Sequence, residues 1–223
     1  MIVTIDGPAG AGKTSVAKGL AQRLGALFLD TGAMYRAVAL AGCRAGIDWQ
    51  APSQLADLAR SMEFRLDGSR VLLDGQDVTD AIRSSELQPY IRRAADDPEV
   101  RRELIRRQRA FAARGDVVTE GRDQGTLVFP EADRKFFLTA SPQERARRRF
   151  KELQKWGETG TLEQVLEQQQ QRDRQDQGRP WGRLTRAADA IEVATDGLSL
   201  EQVVDRLEQW VRKPRPPVDS NEN

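Results

Sequence analysis

The 223-residue sequence contains no histidine, so any mechanism that needs an imidazole to accept a proton near neutral pH is excluded. Its only asparagines are Asn221 and Asn223, which leaves no NKxD-type loop to read guanine and rules out a GTPase. A single cysteine, Cys43, forbids an internal disulfide. Flanked by Ala39, Leu40, Ala41 and Gly42, it is expected to pack as a small core residue. No run nears the roughly 18 apolar residues of a membrane span, and 31% of the chain is charged. The first apolar stretch begins at Ile2, so no leader peptide is expected, and the chain reads as cytoplasmic. A net charge of +1 supplies no field toward nucleic acid or lipid, and neither is expected as a partner. Lysine is also scarce: Lys13, Lys18, Lys135, Lys151, Lys155 and Lys213 are the only ones among 35 basic residues. Arginine forks hold phosphate and carboxylate bidentately. The imbalance suits a site crowded with phosphates, although a high-GC genome would produce it too, so individual arginines must carry the argument.

What the chain does have is a complete GxxxxGK[ST] run, Gly7-Pro8-Ala9-Gly10-Ala11-Gly12-Lys13-Thr14, followed by Ser15 and entered from the apolar Ile2-Val3-Thr4-Ile5. Glycines let the backbone curl with its N–H groups inward, and the helix that follows adds its positive end. Lys13 would reach the β- and γ-phosphates of a nucleoside triphosphate, and the Thr14 hydroxyl would take Mg²⁺.

Val16, Ala17, Leu20, Ala21 and Leu24 continue at helical spacing to Gly25. Leu27-Phe28-Leu29 reads as a strand, and Asp30-Thr31-Gly32 opens a second helix. Phe64 and Leu66, then Val71 and Leu73, alternate around Asp67-Gly68 and Asp74-Gly75, the pattern of a small antiparallel sheet. Asp97-Pro98 starts a helix with Val100, Leu104, Ile105 and Phe111 buried. Val117-Val118-Thr119 and Lys135-Phe136-Phe137-Leu138 are strands, with a helix or loop between them. Ser141-Pro142-Gln143-Glu144 reads as a capping box launching Arg145 through Phe150, and Trp156 to Gly160 as a break. A Gln-rich helix then runs from Leu162 toward Gly178. Ile191-Glu192-Val193 is a last strand, and Ser199 and Gln202 cap a helix whose stripe of Val203, Val204, Leu207, Trp210 and Val211 is expected in the core.

Alternating strands and helices mean an α/β fold, a P-loop NTPase-type parallel sheet flanked by helices, with active groups at the strand carboxyl ends. Three such ends are polar: Asp6 to Thr14, Asp30 to Arg36, and Glu120 to Thr126. Val117 to Asp123 ends in a Gly-Arg-Asp turn, which suits an anion clamp better than the acidic pair of a motor ATPase. With no imidazole available, an acceptor that is already an anion fits best, because phosphoryl transfer to it reduces to positioning and charge neutralisation. A nucleoside monophosphate is such an acceptor.

Gly7 to Thr14, Leu29-Asp30-Thr31-Gly32-Ala33-Met34-Tyr35-Arg36, Glu120-Gly121-Arg122-Asp123-Gln124-Gly125-Thr126 with Val128-Phe129-Pro130, and Glu144-Arg145-Ala146 with Arg148-Arg149 together resemble the bacterial cytidylate kinase family. The resemblance spans about residues 2 to 211. It implies one kinase domain over residues 1–212, with a β-hairpin and helix monophosphate-binding insert over about 60–105, a lid over about 148–180 and an unstructured tail over 213–223. The implied reaction moves the γ-phosphoryl of ATP, with Mg²⁺, to CMP or dCMP in a monomer. By the same resemblance, Arg36, Arg122 and Arg179 surround the CMP phosphate, Arg101 and Asp123 meet the cytosine edge, and Arg172 with Asp176 lies near the sugar. Thr31 and Tyr35 line that pocket. Arg148 and Arg149 belong to the lid and help hold the moving phosphoryl group, alongside Lys13, Arg122 and Arg179. The chain departs from the family at Arg92, where a serine near the sugar is common, which leaves the CMP versus dCMP preference open. It departs again at Gln124, Gln175 and Gln177, and at Pro180-Trp181-Gly182-Arg183, where a Pro-Leu pair is usual.

Taken on spacing alone, Arg172, Asp176 and Arg179 could be an ordinary solvated helix pair, and Arg145 to Arg149 a basic helix face. A P-loop kinase for AMP or a metabolite hydroxyl, with Asp30 or Asp123 as base, stays open. A non-catalytic ATP-binding regulator or an arginine-based RNA binder is disfavoured, because Lys13 and Thr14 are intact and no aromatic platform accompanies the basic runs. Replacing Lys13 by alanine is expected to abolish turnover with the circular dichroism spectrum unchanged; retained activity would remove the loop from the mechanism.

Overall fold

Successive side chains of a strand face opposite sides of its sheet, so a strand with apolar residues on both faces has to be covered on both. The segments Ile2–Asp6 (β1) and Val117–Gly121 (β6) carry apolar residues on both faces: Ile2 and Val117 join one core cluster, while Val3, Ile5 and Val118 join another. The computed structural model, which describes residues 1–67, 70–155, 157 and 159–214, places both at the centre of a five-stranded parallel sheet. With β2 (Leu27–Asp30), β7 (Arg134–Thr139) and β8 (Ile191–Ala194), its order is β2-β6-β1-β7-β8. Helices α1 (Lys13–Leu24) and α8 (Leu200–Arg212) supply Val16, Leu20, Val204 and Leu207 to one face. Helices α2 (Thr31–Ala45), α3 (Pro52–Ser61), α4 (Gln88–Asp96) and α5 (Pro98–Ala112) lie on the other side, where Met34, Val38, Leu55, Ala94 and Leu104 share a core. The remaining helices, α6 (Pro142–Lys155) and α7 (Leu162–Gly178), form a pair between β7 and β8.

Between α3 and α4 the strands β3 (Phe64–Asp67), β4 (Arg70–Leu73) and β5 (Gln76–Asp77) make an antiparallel sheet. Asp74 and Gly75, at φ 49° and 77°, form its second turn, while Gly68 of the other expected turn lies outside the described residues. Val71 and Leu73 enter the same core cluster as α2. In the main sheet, register sets Asp6 level with Gly121 and Asp30 level with Glu120. The polar strand ends therefore emerge together at one carboxyl edge, where such sheets bind ligands.

Several local expectations change. Helices α3 and α4 were not legible: neither has a side-chain cap, and each carries proline in its first turn. The segment after β6 is a π-type turn over Gln124–Val128, drawn wide because the Asp6 carboxylate accepts the N–H groups of both Gln124 (2.9 Å) and Gly125 (2.7 Å). The capping box at Ser141 is only half made. Its hydroxyl accepts from Glu144 N at 3.3 Å, but its own N–H goes to Asp196, and Glu144 instead accepts from Arg148. Helix α6 continues past Phe150 to Lys155; Trp156 of the expected break, and residues 215–223 of the tail, lie outside the described residues. Trp210 is not core. It is 43% exposed in the last turn of α8, with the Lys213 ammonium 4.4 Å above its ring, while Val203, Val204 and Leu207 of the stripe are buried. Cys43 and Phe111 are half-buried rather than enclosed. No helix among the described residues is long and apolar enough to cross a membrane.

Asp97 caps α5 as expected, its Oδ1 accepting from Glu99 N (2.8 Å) and Val100 N (3.1 Å). Replacing it with alanine is expected to cost about 1 kcal/mol, read as a lower urea midpoint with an unchanged slope; an unmoved midpoint would refute the cap.

Candidate active site

Residues 7 to 14 wrap the carboxyl end of β1. Gly7, at φ 147°, lies so close to Leu138 of β7 that a Cβ would strike its carbonyl oxygen, so only glycine fits between the two strands. Carbonyls of the loop are bonded away from its hollow: Pro8 O accepts from Lys13 Nζ (2.8 Å), Ala9 O from Arg145 Nη1 (2.9 Å) and Ala11 O from the Thr195 hydroxyl (3.5 Å). Helix α1 begins at Lys13 with no side-chain cap, so its first N–H groups and positive end face the loop. Burial lowers the Lys13 ammonium to about 7; Arg122 and Arg172 push the same way, against Glu120 and Asp6. An anion seated in the loop would reverse that shift.

The adjoining strand ends carry acids. Thr14 Oγ1 donates to Glu120 Oε1 at 2.9 Å, and Thr31 Oγ1 donates to Glu120 O at 2.7 Å. Asp30 caps α2 through Ala33 N (2.8 Å). Burial, then the neighbouring Glu120 charge, raises the Asp30 carboxyl to about 6. Among the described residues no three acidic or thiol groups cluster as a metal cage. A hydroxyl beside one carboxylate nevertheless suits Mg²⁺, which keeps its waters and takes most of its other ligands from phosphate.

Facing the loop is a group of arginines held by carboxylates. Arg122 Nε donates to Asp176 Oδ2 (2.9 Å), and Arg179 spans Asp176 Oδ1 (3.0 Å) and Asp96 Oδ1 (2.8 Å). Burial alone would raise the Asp176 carboxyl, but Arg122, Arg172 and Arg179 hold it below the usual range. Arg172 is lowered to about 10 by burial and then by Arg122, and burial likewise lowers Arg36. Arg101, 2% exposed, pairs with the buried Asp123 and donates to Ala95 O at 3.1 Å. Tyr35 lies beside that pair, its phenol pushed up to about 12 by burial and so neutral. Arg148 is spent on Thr195, through Oγ1 (3.0 Å) and O (2.7 Å), and on Glu144. That places it at the rim of the loop, 3.8 Å from where a Cβ of Gly12 would be. Arg149, bonded to Glu152 at 3.2 Å, lies close enough to influence Arg36 and Arg172.

A family model described as cytidylate kinase matches residues 3–213. The chain belongs to the cytidylate kinase family. It is 48% identical over 213 residues to the cytidylate kinase of Rhodopirellula baltica, covering 96% of this chain and 93% of that one. It is 47% identical over 217 residues to that of Citrifermentans bemidjiense, with the same coverage. A bifunctional pantoate ligase/cytidylate kinase of Synechococcus elongatus is 49% identical over 215 residues, which make up 92% of this chain and 41% of that protein. Among solved structures, TT1252 from Thermus thermophilus shares the fold, with a TM-score of 0.51 at 22% identity over 95% of each chain.

Residues given no site role from the sequence complete the site. Asp6 anchors the turn that carries Arg122 and Asp123, and Arg145, ion-paired to Asp173 at 2.6 Å, ties α6 and α7 to the phosphate loop. Asp96 holds Arg179 and also meets Arg92, which is exposed, at 3.4 Å. The departure at Gln124 is accommodated: its amide is enclosed between Thr119 (3.0 Å) and Gln108 (3.2 Å). Asp96 and Asp173 carried no signal in the sequence, whereas Asp6 stood at a polar strand end, Arg145 within a motif, and Arg92 and Gln124 as departures from the family.

Lys13 generates a pH prediction. At pH 8 its ammonium, lowered to about 7, is largely deprotonated in the free protein, and a bound triphosphate restores the proton. ATP binding should therefore take up a proton at pH 8, and its Kd should weaken up to about tenfold per pH unit above 7. Calorimetry in two buffers of different ionisation enthalpy reads this directly, and uptake should vanish in Lys13→Met. No uptake by the wild type would contradict the assignment.

Proposed function

We propose that the chain transfers the γ-phosphoryl group of ATP to CMP or dCMP, giving ADP and CDP or dCDP, as a cytoplasmic monomer. The observation that carries the reading is the buried Arg101–Asp123 pair set beside the Arg36, Arg122, Arg172 and Arg179 group, in a chain of the cytidylate kinase family.

In the proposed mechanism the loop from Gly7 to Ser15 cradles the β- and γ-phosphates on its N–H groups and on α1, with Lys13 bridging them. Thr14, with Glu120 behind it, would hold Mg²⁺, which supplies neutralising charge to the phosphates. Arg36, Arg122 and Arg179 bind the CMP phosphate, while Arg172 and Asp176 stand near its sugar and Thr31 and Tyr35 line the pocket. One ionised oxygen of the CMP phosphate attacks the γ-phosphorus. The bond from that phosphorus to the β,γ-bridging oxygen breaks, and the electron pair leaves on ADP. No proton has to move, so catalysis rests on alignment and on positive charge around the transferring group. Arg148 and Arg149 would close over that group from α6.

At the base, Asp123 accepts from the cytosine amine and Arg101 donates to the ring acceptors. Uracil would set a carbonyl against the carboxylate, leaving a buried acceptor unpaired at about 1 to 3 kcal/mol, or roughly ten- to a hundredfold. Purified protein with ATP, Mg²⁺ and a panel of CMP, dCMP, UMP, AMP and shikimate should release ADP with CMP and dCMP, and much more slowly with UMP. Release with AMP or shikimate alone would favour a different P-loop kinase, and release with none a binding module. UMP turnover equal to CMP turnover would remove Asp123 from recognition.

A further inference from the structure

The turn Trp181-Gly182, within the Pro180–Arg183 stretch, lies directly against the Arg101–Asp123 pair. Gly182 has φ 69°, and any Cβ there would run into the Arg101 guanidinium and come within 2.5 Å of Asp123 Oδ2. The guanidinium carbon of Arg101 stands 5.7 Å from the ring centroid of Tyr35 and 5.7 Å from that of Trp181, a cation between two aromatic faces. The enclosure is tight: Arg101 Nε is buried without a protein partner among the described residues. Trp181 also packs on the core cluster of α2 and α5. It also lines a surface groove of about 540 Å³ together with Arg102, Glu103, Ile105 and Leu127. The indole thus touches both a surface groove and the buried ion pair.

Resting on the function proposed above, we propose that the Trp181-Gly182 turn is a further specificity-determining element, a seal that keeps water from the Arg101–Asp123 pair and thereby sets how strongly cytosine is preferred over uracil. Base discrimination by a buried carboxylate depends on nothing else being present to pair with it when the wrong base arrives. Water entering past a truncated side chain would satisfy Asp123 against uracil, and the penalty would shrink. Binding of CMP would weaken as well, because the same pair would have to be dehydrated for each substrate.

The test is steady-state kinetics with CMP and UMP on the wild type, Trp181→Ala and Trp181→Phe. In the alanine variant the CMP to UMP ratio of kcat/KM should fall by about fivefold or more. Most of the change should lie in KM for CMP, with KM for ATP held within about twofold. The phenylalanine variant should stay within about twofold of the wild-type ratio. If the alanine variant does not fold, as judged by thermal unfolding, Trp181→Leu takes its place, with a fall of more than about twofold expected. An unchanged ratio in the truncated variant, even with a raised KM, would reduce Trp181 to packing and overturn the inference alone. A wild type without preference for CMP would remove Asp123 from base recognition and this inference with it, whereas a wild type inactive on CMP would overturn the function reading.

Discussion

Gathering several guanidinium groups in one partly buried cleft is unfavourable twice over, through lost hydration and through mutual repulsion. The carboxylates that offset this determine the shape of the site. Asp176 stands between Arg122 and Arg179 and is felt by Arg172, Asp96 takes the far side of Arg179, and Asp123 takes Arg101. These acids come from the turn after β6, from α4 and from α7, so elements more than 50 residues apart are drawn to one place. Breaking such a pair leaves an unbalanced buried charge, so the carboxylates fix the geometry of the cluster. A phosphate arriving there enters a field already arranged for it.

The backbone prepares the same cleft. Register in the sheet sets Asp6, Asp30, Glu120 and Gly121 along one edge. Asp6 then uses both oxygens to widen the turn after β6, which sends Arg122 toward Asp176 and Asp123 toward Arg101. Burial raises the Asp6 carboxyl to about 7, against the two N–H bonds that favour its charge. On the opposite side, Arg145 reaches from α6 to Ala9 O and Asp173, so the phosphate loop and α7 are fixed to each other. The turn after β6, the phosphate loop and α7 are thereby tied to one edge of the sheet.

Much of this was legible in the chain because it is local. The phosphate loop, the Asp30 cap, the hairpin at Asp74-Gly75 and the capping box at Ser199 depend on residues a few positions apart, and all form. Elements without a local signal were missed, α3 and α4 among them, as were partners chosen across the fold. Ser141 offered a complete box in sequence, yet Asp196, 55 residues on, takes its N–H. Trp210 fits the apolar stripe of α8 by spacing and still lies in solvent beneath Lys213, while Leu207 and Val211 pack on the core. Gln124, a departure from the family, finds its bonds in Thr119 and in Gln108, which lies on a different element.

The central claim is that fixed positive charge holds two polyanions end to end, so that a phosphoryl group passes between them without a proton acceptor. A crystal structure with CMP and a non-hydrolysable ATP analogue tests it most directly. The account predicts the CMP phosphate on Arg36, Arg122 and Arg179, the cytosine amine on Asp123, and its attacking oxygen in line with the γ-phosphorus above Lys13. Cytosine nucleotide bound elsewhere, with those arginines untouched beside Asp96 and Asp176, would contradict it.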